Sequence, residues 1–268
     1  MTHIKLATWN INSVRLRMPL LKKLCDEHNL DVVCLQETKV QDSEFPLEDI
    51  KALGFDHVVF RGEKSYNGVA ILSRLPLSNV AKQDMANVSE SRHISACLPD
   101  GTEIHNLYIP AGGDEPDIQV NPKFKFKLEC LDYLTDWFGA NKIPSDKVIA
   151  VGDFNIAPYE HDVWSHKQLL KVVSHTPIEV EKLLRFKESI SWVDLARHFV
   201  PETEKLYSWW SYRNRDWRKS NRGRRLDHIW ATSTITERFG QHQILNDVRD
   251  WERPSDHVPV IVSYQLHK

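Results

Sequence analysis

Residues 148–155 read Val-Ile-Ala-Val-Gly-Asp-Phe-Asn. The first four are apolar without alternation, which predicts a strand covered on both faces rather than one with a wet side. The run stops at Gly152, and Asp153 and Asn155 follow. In open sheets the space beyond the carboxyl ends of buried strands is where loops present polar groups to ligands. Further strand-sized runs occur at 4–7, 31–35, 58–60, 68–72, 104–109, 226–230 and 258–262, and Arg92, Ile94, Ala96 and Leu98 alternate as in a half-buried strand. Helical spacing separates them: Leu16, Leu20, Leu21 and Leu24, then Phe124, Leu128, Leu131, Leu134, Trp137 and Phe138 after Pro122, then Val180, Leu183 and Leu184 after Pro177. Strands alternating with helices predict an α/β (α+β) fold with helices covering sheets.

The 268 residues, 41% hydrophobic and 27% charged, predict one domain spanning 1–268 with a core that needs no staples. Cys25, Cys34, Cys97 and Cys130 form no CxxC pair, which argues against a zinc site or disulfide framework and for a reducing compartment. The start, Met-Thr-His-Ile-Lys-Leu-Ala-Thr-Trp-Asn, lacks a sustained apolar stretch, and no later run approaches a membrane span. A cytoplasmic protein with no membrane partner is expected. Net charge is −2, which excludes coating of nucleic acid by bulk charge. Between 213 and 225, however, seven basic residues (Arg213, Arg215, Arg218, Lys219, Arg222, Arg224, Arg225) stand against Asp216 alone, a basic strip on an acidic body.

Carboxylates and amides recur where the apolar runs end: Asn10 after Lys-Leu-Ala-Thr-Trp and Glu37 after Val-Val-Cys-Leu-Gln, while Asp256-His257 precedes the 258–262 run. Asn10 or Asp153 alone reads as an ordinary turn residue, and Glu37 as a strand end paired with Lys39. Asp227 is harder to dismiss. It lies inside the apolar segment Leu-Asp-His-Ile-Trp, and a carboxylate there is costly unless it meets a cation, a histidine or a metal. His257 is its natural partner, in a catalytic or a merely structural pair. Hard oxygen donors without Cys/His ligand spacing favour Mg²⁺ or Mn²⁺, and with it phosphate chemistry.

Six segments in order then carry a resemblance: Trp-Asn-Ile-Asn (9–12), Leu-Gln-Glu-Thr-Lys (35–39), Asn-Gly-Val-Ala (67–70), Gly-Asp-Phe-Asn-Ile-Ala-Pro (152–158), Arg-Leu-Asp-His-Ile (225–229) and Ser-Asp-His-Val-Pro-Val (255–260). Together they resemble the exonuclease III and AP endonuclease family of the endonuclease/exonuclease/phosphatase superfamily. The resemblance implies a four-layered α/β sandwich, two packed mixed sheets flanked by helices. It also implies a monomeric, Mg²⁺- or Mn²⁺-dependent DNA repair enzyme that cuts duplex DNA 5′ to abasic sites and trims or cleans 3′ ends. By motif, Glu37 would hold the metal with Asn10 and Asp256, and Asp153 would activate water. Asn155 would contact the scissile phosphate, His257 paired with Asp227 would bind or protonate a phosphate oxygen, and Tyr108 would lie against the phosphate or leaving group. A second metal near Asp153, Asn155 and His257 is the family's alternative. Trp209 would wall the pocket for the extrahelical sugar, and Lys39, Arg213, Arg222, Arg224 and Arg225 would meet DNA. Two positions depart from the pattern: Ala111 stands after Tyr108-Ile-Pro where the family carries an amide shortly beyond the proline, and Asn12 replaces an acid of eukaryotic relatives. The same chemistry on RNA or a small phosphoester, and a catalytically silent DNA-binding module, are the competing functions.

Overall fold

The computed structural model describes residues 2–214 and 216–267; Arg215 of the basic strip lies outside the described residues. Among the described residues twelve strands form two six-stranded sheets. The first runs in the order β11 (Phe239–Ile244), β12 (Val260–Leu266), β1 (Thr2–Asn10), β2 (Val32–Gln36), β4 (Val69–Ser73), β3 (His57–Arg61). The second runs β5 (Ser78–Ala81), β6 (His93–Cys97), β7 (Glu103–Tyr108), β8 (Val148–Asp153), β10 (Asp227–Thr232), β9 (Trp192–Asp194). Each sheet is mixed: β1 pairs parallel with β2 and β7 with β8, and the other pairings are antiparallel.

The period of two along each strand explains the continuous apolar runs. Ile149 and Val151 face inward onto the other sheet, in one cluster with Leu6, Cys34, Ile71 and Val262. Val148 and Ala150 face outward onto Phe124, Leu131 and Phe138 of the helix Pro122–Asn141 and Phe186 of the helix Pro177–Ser189. On the other side, Trp9, Val33 and Leu35 cover Leu21 and Leu24 of the helix Met18–His28 and Ile50 of the helix Leu47–Ala52. Helix, sheet, sheet, helix is the expected four-layered sandwich. Deleting one of its large wedges, as in Phe186→Ala, should cost about 3–5 kcal/mol, since the Phe186 ring meets Phe138, Trp192 and Trp230.

Toward one end the layer between the sheets turns polar. Gln36 Nε2 donates to Asn106 Oδ1 across the sandwich (2.7 Å), and Asn106 Nδ2 donates to the carbonyls of Leu35 (2.9 Å) and Ala70 (2.8 Å). Beyond this amide rung lie the ends of β1, β2, β7 and β8, with the residues that follow them.

Candidate active site

Four strand ends deliver three acids and an amide. β1 ends at Asn10, β2 is followed by Glu37, β8 ends at Asp153, and β10 opens with Asp227 directly opposite Asp153 in the antiparallel register. Gly152 makes the last turn of β8 possible: its φ is +137°, and a Cβ would stand 1.9 Å from the Leu107 carbonyl oxygen. Several residues here take left-handed backbone without being glycine, including Asn12 (φ 49°), Glu37 (50°), Lys39 (52°) and Asn155 (54°). Conformations of this kind persist where the surroundings over-determine them.

The groups meet. Asn10 Nδ2 donates to Glu37 Oε1 and to Asp153 Oδ2, both at 2.9 Å. Tyr108 Oη donates to Glu37 Oε1 (2.8 Å), and Lys39 Nζ pairs with Glu37 Oε2 (2.7 Å) and donates to Asn12 Oδ1 (2.8 Å). Asp153 accepts from the Asn155 backbone N–H (2.9 Å) and its side-chain amide (3.1 Å). His257 Nδ1 donates to Asp227 Oδ2 (2.8 Å), while its Nε2 stands 3.6 Å from Asp153 Oδ2. Asp256 accepts from Asn12 Nδ2 (3.1 Å) and Trp209 Nε1 (2.9 Å).

Burial sets the electrostatics, because an ionised carboxylate away from water is unfavourable unless compensated. Asp153 is fully buried, and that burial, with Asp227 and Glu37 nearby, pushes its proton affinity up against the opposing pull of His257. Burial alone would hold the His257 imidazole down, but Asp227 and Asp153 outweigh it and push it up to about 10. His257 is therefore a cation at neutral pH. Burial would raise Glu37 too, yet Lys39 and Asn10 keep it below the usual carboxylate range. Burial, then Glu37 and Asp153, keep the Tyr108 hydroxyl protonated as a donor.

Glu37, Asp153, Asp227 and Asp256 thus supply four carboxylates against two cations, Lys39 and His257⁺. The four carboxylates outnumber the two cations, Asp227 Oδ1 has no hydrogen-bond partner among the described residues, and oxygens of Asp153 and Asp227 lie within 4.8 Å of each other, which together fit a divalent cation. The acids open on a cavity of about 600 Å³ lined by Glu37, Asn155, Asp256 and His257 on one side and by Trp164, Trp209, Leu226 and Arg224 on the other. Trp209 is fixed there by backbone bridges to Arg224 and His257, with the Arg224 guanidinium stacked 5.1 Å from its ring centre. Arg222 stacks likewise on Trp164 at 4.8 Å, and Arg213 also lines the cavity.

Some expected placements change. Arg225 does not face DNA: it is wholly buried and bonds in fork fashion to Asp162 and Asp194 at 2.8–3.0 Å, a structural tie. Arg224 spends Nη1 on the Val173 carbonyl (3.0 Å) and Ser174 Oγ (2.7 Å), and Arg218 is held by Asp247 and Asp250 on the surface. Asn10 acts as a double donor, its Oδ1 taken by the Asn12 N–H (3.1 Å), so it bridges the carboxylates rather than offering an oxygen beside them. Asn155 spends its amide on Asp153 and on the Ile109 carbonyl (2.9 Å). Lys39 turns inward to Glu37, away from a surface strip. Sequence reasoning missed Ser208, whose Oγ donates to Asp227 Oδ2 (2.6 Å), and Asn106; an amide inside Ile-His-Asn-Leu-Tyr was the available signal for the latter.

The chain is 29% identical to exodeoxyribonuclease III of Haemophilus influenzae across 98% of this chain and 100% of that protein. Its fold superposes on an AP endonuclease from Archaeoglobus fulgidus with a TM-score of 0.90 at 31% identity, covering 98% and 99% of the two chains. It superposes on the 3′ phosphatase NExo from Neisseria, solved with a product DNA hairpin, with a TM-score of 0.88 at 28% identity over the same shares. The model of the endonuclease/exonuclease/phosphatase family matches residues 7–257, so strand ends, acids and histidine all fall within it, and the chain belongs to that family.

Proposed function

We propose that this chain is a divalent-metal-dependent DNA repair phosphodiesterase, an AP endonuclease of exonuclease III type with 3′→5′ exonuclease and 3′-end-cleaning activity. The surplus of carboxylates over cations beside a cavity walled by stacked arginine–tryptophan pairs carries this reading, because a phosphodiester approaches such acids only with a cation between them. Glu37, with Asp256 beside it, would hold Mg²⁺ or Mn²⁺. Such an ion, once bound, neutralises phosphate oxygens and the leaving oxygen.

The chain's own groups supply the rest. Asp153 receives the proton of the attacking water as that oxygen bonds to phosphorus, and the bond from phosphorus to the 3′ oxygen of the upstream nucleotide breaks. His257, oriented through Nδ1 by Asp227, directs Nε2–H to a phosphate oxygen. Asn155 contacts the same phosphate after exchanging Asp153 for it, and Tyr108 anchors Glu37 at its edge. Trp209 and Leu226 take the extrahelical sugar, Arg224 backs the Trp209 ring, and Arg213 and Arg222 meet DNA phosphates without reading sequence. The whole chain acts as one catalytic domain, monomeric and cytoplasmic, on duplex DNA with abasic sites or 3′ ends. The test is incubation with a duplex holding one abasic analogue, with Mg²⁺ and with EDTA, sizing products from both strand ends. Metal-dependent incision 5′ to the lesion is expected; uncut DNA together with a cleaved small phosphoester overturns the reading.

A further inference from the structure

Behind the reacting centre lies an ion pair that none of the roles above uses. Lys127, on the helix Pro122–Asn141, and Glu179, in the first turn of the helix Pro177–Ser189, are both fully buried and meet at 2.5 Å. Lys127 Nζ also donates to the carbonyls of Asn155 (2.8 Å) and Ala111 (3.2 Å). Glu179 accepts from the Ser174 N–H through both oxygens (3.0 and 2.9 Å), and from the N–H (3.2 Å) and hydroxyl (2.6 Å) of Thr176. Gly112, at φ +89°, lies on the lysine stem, where a Cβ would come within 2.9 Å of Cδ. Ala111, Asn155 and Ser174 all line the cavity, and each comes from a different loop.

We propose that Lys127 and Glu179 are positioning residues for phosphodiester cleavage, clamping the 111–113, 153–157 and 173–176 loops so that Asn155 keeps its left-handed backbone and with it the orientation of Asp153. Stability alone does not account for the pair. Replacing a buried ion pair by groups of similar shape is often neutral or stabilising, and the Thr176–Glu179 capping box needs no partner charge. The ammonium adds direction: three donors aimed at a carboxylate and two carbonyls from separate loops. Asn155 is gripped at every polar group of its backbone, the N–H by Asp153 and the carbonyl by Lys127. The same clamp tethers the Ala111-Gly112-Gly113 segment, which departs from the family pattern after Tyr108, from beneath by the Ala111 carbonyl.

This inference rests on the phosphodiesterase reading, and the experiment separates the two. Lys127→Met strands the Glu179 charge, whereas the double variant Lys127→Met/Glu179→Gln removes both charges and keeps the cap. Urea unfolding, kcat and KM on the abasic duplex, and amide hydrogen exchange at 153–157 are measured on each. In the double variant we expect an unfolding midpoint near wild type, kcat lower by about ten- to a hundredfold, little change in KM, and faster exchange at 153–157. Wild-type kcat and exchange in the folded double variant overturn the clamp, as does a loss of turnover that only tracks the unfolded fraction. If the wild type itself leaves abasic DNA uncut, the functional reading fails, and exchange at 153–157 alone decides the clamp.

Discussion

Two buried charge clusters lie on either side of β10, and they are built on opposite principles. Around Arg225, the acids Asp162 and Asp194 face two guanidiniums, Arg225 and Arg197, so the cluster closes on itself. His228 Nδ1 lies 3.1 Å from Arg225, and its Nε2 meets the Ile156 carbonyl at 2.8 Å. Around His257, four carboxylates face two cations and Asp227 Oδ1 has no hydrogen-bond partner among the described residues. Both combine buried aspartates, basic side chains and a histidine. Charge balance, more than residue identity or burial, distinguishes a group of ions that holds the fold from one that waits for a cation and a phosphate.

The sharpest break in this contrast is Asp153→Asn. One carboxylate removed from the unbalanced cluster should lower incision by about 10²–10⁴-fold, with the unfolding midpoint unchanged or raised because repulsion from Asp227 and Glu37 is relieved. Steady-state incision and urea titration on one preparation check both halves, and unaltered incision rejects Asp153 as the base. Arg225→Met should do the reverse. It strands Asp194 and leaves Asp162 to Arg197 alone, at a cost of about 3–5 kcal/mol, read as a drop in the urea midpoint, while any folded fraction keeps its turnover.

Acid probes the balanced cluster without mutation. Burial, with the Arg225 charge adding to it, lowers His228 to about 4, whereas an unfolded histidine takes its proton near about 6.5. The unfolded chain binds more protons across that window, so stability should fall as pH drops from about 6.5 toward 4. It should fall again between about 4 and 2: burial would raise Asp194, but Arg225 holds it near about 2, and its favourable ionisation is then lost. A thermal midpoint that stays flat over these windows removes both groups from the account. The smaller effects belong to the open cluster. Millimolar Mg²⁺ should raise the melting midpoint by linkage, the gain in stability reaching about 2–3 kcal/mol a hundredfold above Kd, and Glu37→Gln should shrink that rise. Neutralising Arg213 and Arg222 should flatten the slope of log K against log[salt] for duplex binding by about 1.8, since each phosphate contact contributes about 0.9.

The strands legible in the sequence were those buried on both faces or alternating cleanly. β5, β9 and β11 left no comparable trace: β5 is exposed throughout, β9 has three residues, and β11 reads Phe-Gly-Gln-His-Gln-Ile at a sheet edge. The acids were legible because an interior carboxylate needs a reason, and Asp227 announced one. Arginines give no such signal. Arg222, Arg224 and Arg225 are neighbours in one charged run, yet one is exposed, one is stacked on Trp209 and one is sealed inside. Lys127 and Glu179 were hidden for a related reason, because a lysine among helical apolar positions looks like a solvated face until the carbonyls it serves are located.

The amide rung between the sheets also restricts how the two halves of the sandwich can assemble. Slipping β2 by one residue against β1 and β4 would carry the Gln36 carboxamide away from Asn106 and turn the outer face of its strand inward. The same side chains that border the acids therefore act as a key for strand alignment, so the catalytic end of the molecule also proofreads its folding.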